Sequence, residues 1–171
     1  MVLRRTAVTC NAKKENGMKD KNFSQWTRWE DRNSLNGIKY PGIYCIAISE
    51  IDLSEQYFEW ISKITYVGMT NSRAGLKGRL KQFDNTIIGK SGHGGADRFK
   101  YENYQDLVDK LYVSVCSFEC DVKSNAPKDL RIMGEVAKFE YYCFAKYVEE
   151  FGNLPMFNNK NISPKYSLTH R

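Results

Sequence analysis

The chain contains no run approaching the ~20 apolar residues of a membrane span, and its first residues hold no apolar stretch long enough for a secretory leader. No membrane association is expected. Cysteine is sparse and odd in number: Cys10, Cys45, Cys116, Cys120 and Cys143. With no leader before them, a reduced cytoplasmic location is expected rather than a disulfide framework. Cys116 and Cys120 have no second pair to complete a zinc site, so structural thiols are the favoured reading. The sequence also lacks internal repeats, low-complexity tracts, zinc fingers and a recognisable recognition helix.

The chain has 171 residues, a length that suits one domain with a real core. Lys and Arg total 26 against 20 Asp and Glu, for a net charge of +6. Such a balance favours anionic partners, nucleic acid first. A basic solvated surface with no such partner is the alternative. The excess is uneven. Residues 1–40 carry nine basic and four acidic side chains, residues 69–101 carry seven and two, and the last thirteen carry three and none. A phosphate backbone would be drawn to those regions.

Periodicity divides the chain into elements. Residues 1–20 are polar and basic and read as an arm. Trp26 and Trp29 stand three apart, which predicts a short helix with both rings on one face toward the core. Residues 43–48 read as a buried strand, and residues 64–67 as a second strand closed by Gly68. The acidic, aromatic stretch 50–62 between them reads as a helical or irregular insert. Leu76, Leu80 and Phe83 predict a basic helix. Ser91 to Gly95 reads as a flexible loop, and Asn103 as the cap of a helix running to Asp109. Residues 111–118 alternate like a strand. Residues 130–151 predict a long helix that Gly152 ends. The fold class expected is α/β (α+β): a small antiparallel sheet with helices packed against it. Residues 1–35 form an N-terminal arm and short helix, 36–160 the main body, and 161–171 a tail, within a single domain.

Four residues carry candidate chemistry. Tyr44 lies in Pro41-Gly42-Ile43-Tyr44 and Tyr66 in Thr65-Tyr66-Val67-Gly68, each in a strand-like run beside glycine. Glycine permits close backbone approach. Both tyrosines also fit an ordinary strand core. Arg79 lies in Leu76-Lys77-Gly78-Arg79-Leu80, where a planar, permanently charged fork suits phosphate. A solvated helix cation is the alternative. Glu140 stands between Phe139 and Tyr141. A carboxylate in an aromatic stretch is costly when buried unpaired, and a divalent cation would offset that cost. A surface glutamate is the alternative, and Glu135 competes for the metal role.

In this order, followed by Leu154-Pro155-Met156-Phe157-Asn158, these runs resemble the GIY-YIG nucleases over residues 41–158. The resemblance implies a three-stranded antiparallel sheet flanked by helices and a DNA endonuclease using Mg²⁺ or Mn²⁺. It implies Tyr44 as general base or water-orienting group and Tyr66 as its assistant at the phosphate. Arg79 would stabilise the charged transition state, Glu140 would bind the metal, and Asn158 would support the site by hydrogen bonds. The chain departs from the pattern in its long insert between the first two motifs and in its longer gap before Arg79. Phe83 stands where some members carry histidine, and His93 is a candidate replacement from its loop; an exposed loop side chain is the other reading. A homodimer is expected for cutting both strands of a symmetric site. The alternative function is a non-cleaving nucleic-acid-binding module on the same fold.

Overall fold

Residues 42–48, Gly-Ile-Tyr-Cys-Ile-Ala-Ile, include no charged side chain, so a strand built from them must be covered on both faces. The computed structural model describes residues 22–90, 94–101, 107–159 and 161. Its strands β1 (Thr27–Arg28), β2 (Gly42–Ile48), β3 (Ile64–Thr70) and β4 (Leu111–Ser117) form one sheet in the order β1-β4-β2-β3, with every pairing antiparallel. The fold is mixed α+β. Its sheet has four strands rather than three, because the two-residue β1 pairs with the outer side of β4.

Side-chain alternation sorts the residues of β2 onto two faces. Tyr44 and Ile46 join Tyr66, Val113 and Val115 in one core, closed by Leu76, Leu80, Phe83 and Ile87 of α1 (Gly75–Ile87). Ile43, Cys45 and Ala47 join the opposite core, closed by Val136, Phe139, Cys143 and Tyr147 of α2 (Pro127–Phe151). Leu76, Leu80, Phe83 and Ile87 recur at helical spacing, and that stripe docks α1. No side chain caps α1. The Leu76 and Lys77 amides instead donate to the carbonyls of Tyr40 (2.9 Å) and Ile38 (2.7 Å), which satisfies two first-turn donors. Gly75 opens the helix at φ +60°, where an added Cβ would strike the Lys39 carbonyl. α2 starts on Pro127 and ends on Gly152 at φ +80°, whose amide donates to the Val148 carbonyl at 2.8 Å. Among the described residues no helix is long and apolar enough to cross a membrane.

Two departures from sequence periodicity shape the sheet. Register runs from Ile46 opposite Tyr66 to Ala47 opposite Ile64, so Thr65 is bulged. Without the bulge Ile64 would share the face of Tyr66. With it, Ile64 lies in the opposite core beside Val67. The two tryptophans also do not share a helix face. Trp26 is buried in the α2-side core and Trp29 in the α1-side core. The chain between them is extended, and residues an odd number apart on an extended chain project to opposite faces. Trp29 then opens a 3-10 turn, Trp29–Ser34. The insert 50–62 is irregular, and β3 runs beyond Gly68 to Thr70. Of the expected helix 103–109, residues 103–106 lie outside the described ones, and Val108–Lys110 is a 3-10 turn.

The Trp29 ring is fastened to α1. Its Nε1 donates to Asp84 Oδ1 at 2.8 Å, and Arg32 Nη2 lies 2.8 Å from Asp84 Oδ2. Asp84→Ala would leave the buried indole N–H without its acceptor, at a cost of about 1–3 kcal/mol. Asp84→Asn keeps an acceptor and should lose less. Urea denaturation measures both; equal loss in the two variants would refute the role given to the indole hydrogen bond.

Candidate active site

The site begins with register. Tyr44 on β2 lies directly opposite Gly68 on β3. Because position 68 has no side chain, the Tyr44 ring lies across it: a Cβ there would stand 2.6 Å from the Tyr44 hydroxyl and 2.8 Å from the Tyr66 ring. The two motif runs are thus complementary halves of one cross-strand contact. The Tyr44 and Tyr66 ring centroids are 5.9 Å apart, with Phe83 beneath them at 6.2 and 5.6 Å. Gly95 backs onto the Tyr66 hydroxyl, where a Cβ would also collide. Tyr44 is fully buried and Tyr66 is 9% exposed.

Arg79 follows Leu76 by one helical turn and precedes Phe83 by another, so it projects from the sheet side of α1. It is half-buried, and its Nε is enclosed with no hydrogen-bond partner. Glu140 comes from α2, on the other side of the sheet. β3 is an edge strand, and its outward backbone groups draw the two sides together. The Val67 amide donates to Asn158 Oδ1 at 2.8 Å, and Asn158 Nδ2 donates back to the Val67 carbonyl at 2.8 Å. The Phe157 amide donates to the Thr65 carbonyl at 2.9 Å. Two residues beyond Val67, the Met69 amide is directed at the half-buried Glu140 carboxylate. Glu135 is exposed, five residues and therefore a different helix face away.

The electrostatics link the four side chains. Burial pushes the Tyr44 phenol well above its ordinary value, helped by the charge of Tyr66, while the charge and hydrogen bonding of Arg79 oppose it. Burial also raises Tyr66, against Arg79 and a hydrogen bond with Tyr44; the Glu140 charge raises it further and that of Arg98 lowers it. Burial raises Glu140, offset in part by the charge of Arg79 and the Met69 amide. At neutral pH both phenols therefore hold their protons and act as donors. As it stands, Tyr44 is suited to orient a ligand rather than to take a proton from water.

Of the residues singled out from sequence, Tyr44, Tyr66, Arg79 and Glu140 come within one electrostatic neighbourhood. Asn158 acts on the backbone of Val67, between Tyr66 and Gly68. His93 lies outside the described residues. Arg98 carries no motif or periodicity; only the basic excess of residues 69–101 pointed near it. Among the described residues no group of three or more His, Cys, Asp or Glu side chains is placed to hold a metal. Glu140 alone fits a cation that takes one protein carboxylate and keeps its waters, as Mg²⁺ does. Desolvation of its carboxylate is a cost that such a cation would offset. No model of a known protein family, no curated protein and no solved structure matches this chain.

Gly68→Ala should push Tyr44 and Tyr66 off their rotamers at a cost of about 1–3 kcal/mol. Denaturant unfolding checks this, and a wild-type midpoint would contradict the packing described. The phenols supply a second test. Their pKa values are raised in the folded state, so the stability they contribute is complete below the unfolded value near pH 10 and is lost as pH climbs through the folded value. Above about pH 10 the slope approaches 1.4 kcal/mol per pH unit for each buried phenol. Tyr44→Phe should flatten that decline in a urea-midpoint series; parallel declines would count against a buried, protonated Tyr44.

Proposed function

We propose that this chain is a divalent-metal-dependent endonuclease of the GIY-YIG type, hydrolysing DNA phosphodiester bonds. The observation that carries the reading is the convergence of Tyr44, Tyr66, Arg79 and Glu140, from four separate elements, around the edge of β3. The basic balance of the chain supports a polyanionic substrate.

Each residue has a role in this reading. Arg79 donates the outer nitrogens of its guanidinium fork to the non-bridging phosphate oxygens. The Tyr66 hydroxyl donates to the phosphate. Tyr44 donates from beneath and fixes the direction of the attacking water. Glu140 would be the protein ligand for Mg²⁺ or Mn²⁺, which when bound would supply Lewis-acid stabilisation of the phosphate charge. Asn158 and Phe157 hold β3 still, which keeps the tyrosines and the Met69 amide in register.

The full burial and raised phenol of Tyr44 also favour a second reading, a non-cleaving nucleic-acid-binding module on the same framework. Nicking of supercoiled plasmid in Mg²⁺ or Mn²⁺ separates the two. Wild type should cut only with metal, and Arg79→Ala and Glu140→Ala should each lose about 10²–10³-fold. Tyr44→Phe should also slow cutting. A folded wild type that binds DNA yet fails on plasmid, branched and single-stranded substrates would establish the module instead.

A further inference from the structure

Arg98 belongs to the 3-10 turn Ala96–Tyr101, and that turn is firmly seated. Ala96 and Phe99 are fully buried, with the Phe99 ring 5.0 Å from Phe83 and 4.1 Å from Phe157. The Arg98 amide closes onto the Gly95 carbonyl at 3.4 Å. In a 3-10 turn, residues three apart eclipse one another, so Arg98 stands over Gly95, which itself abuts the Tyr66 hydroxyl. One guanidinium nitrogen, Nη1, donates to the Phe157 carbonyl, which ties the side chain to the segment that clamps β3. The remaining donors of the fork have a different situation. The side chain is half-buried, and no described carboxylate forms an ion pair with it. A partly desolvated cation with most of its donors unclaimed among the described residues is stabilised by an anion. Its charge already reaches Tyr66.

We propose that Arg98 is a second phosphate-binding cation of this site. Arg79 grips the reacting phosphate from α1, and Arg98 grips a phosphate beside it from the 3-10 turn. The inference rests on the nuclease reading above. The Phe157 carbonyl holds one arm of the guanidinium, so the fork is pre-oriented and little side-chain freedom is lost on binding.

The test uses a short DNA duplex with Ca²⁺ for binding and Mg²⁺ for cutting. Arg98→Gln removes the charge but keeps an N–H for the Phe157 carbonyl, so a merely structural role would survive it; Arg98→Lys keeps the charge. Each phosphate contact contributes about 0.9 to the slope of log affinity against log salt. Arg98→Gln should lower that slope by about one contact, weaken low-salt binding roughly 10-fold and raise KM more than it lowers kcat. Arg98→Lys should restore the slope. If wild type binds and cuts while Arg98→Gln keeps the wild-type slope and KM, the proposal is overturned and the nuclease reading stands. If wild type neither binds nor cuts, the nuclease reading falls and takes the proposal with it.

Discussion

The Tyr44 ring occupies the space that a side chain at position 68 would need, and the rest of the arrangement follows from that contact. It fixes Gly42–Ile48 against Ile64–Thr70 in a single register, since a slip of one residue would set a side chain against the ring. It brings the two phenols side by side above Phe83, the residue through which α1 reaches them. Arg79, a turn before Phe83, is carried to the same place. A core packed in this way tolerates little displacement, so the geometry of the polar groups is set by the apolar ones beneath them.

The opposite face contributes through the sheet's edge. An edge strand presents outward N–H and C=O groups that need partners. Here Thr65 and Val67 give theirs to Phe157 and Asn158, and the Met69 amide lies close enough to Glu140 to favour its charged form. Structural need and chemical opportunity coincide: the groups that close the edge are those that bring a carboxylate and an amide from late in the chain to tyrosines from early in it. The carboxylate is held at some electrostatic cost, visible in its raised pKa.

Much of this is legible in the sequence where a single periodicity governs. The uniformly apolar β2, the existence of β4, the stripe of α1 and the stop at Gly152 all follow from local pattern, and so does an antiparallel sheet with helices, while the burial of β4 on both faces does not. The face of Arg79 is left open by the sequence, which fits a solvated cation equally, and the docking of α1 through Leu76 and Phe83 decides it. What escapes local pattern depends on contacts distant in sequence. Trp26 and Trp29 fit a helical spacing until β4 offers an edge to pair with Thr27 and Arg28. The bulge at Thr65 is set by where Ile64 and Tyr66 must each be buried, which no window around them reveals. Arg98 sits in a turn whose anchor, Phe99, is defined by partners at Phe83 and Phe157.

The clamp between Val67 and Asn158 joins residues 91 positions apart, and that separation has a temporal meaning during synthesis. Both tyrosines and Arg79 leave the ribosome well before Glu140 and Asn158, at a pace far slower than the closure of a local hairpin. The nascent chain therefore passes through an interval with β2 and α1 available and the outer side of β3 uncovered. The constellation comes into being only when α2 docks and the following segment lies down along β3. Acquisition of the site is in this way tied to completion of the fold, and a polypeptide interrupted before residue 140 lacks both Glu140 and the segment that covers the edge of β3.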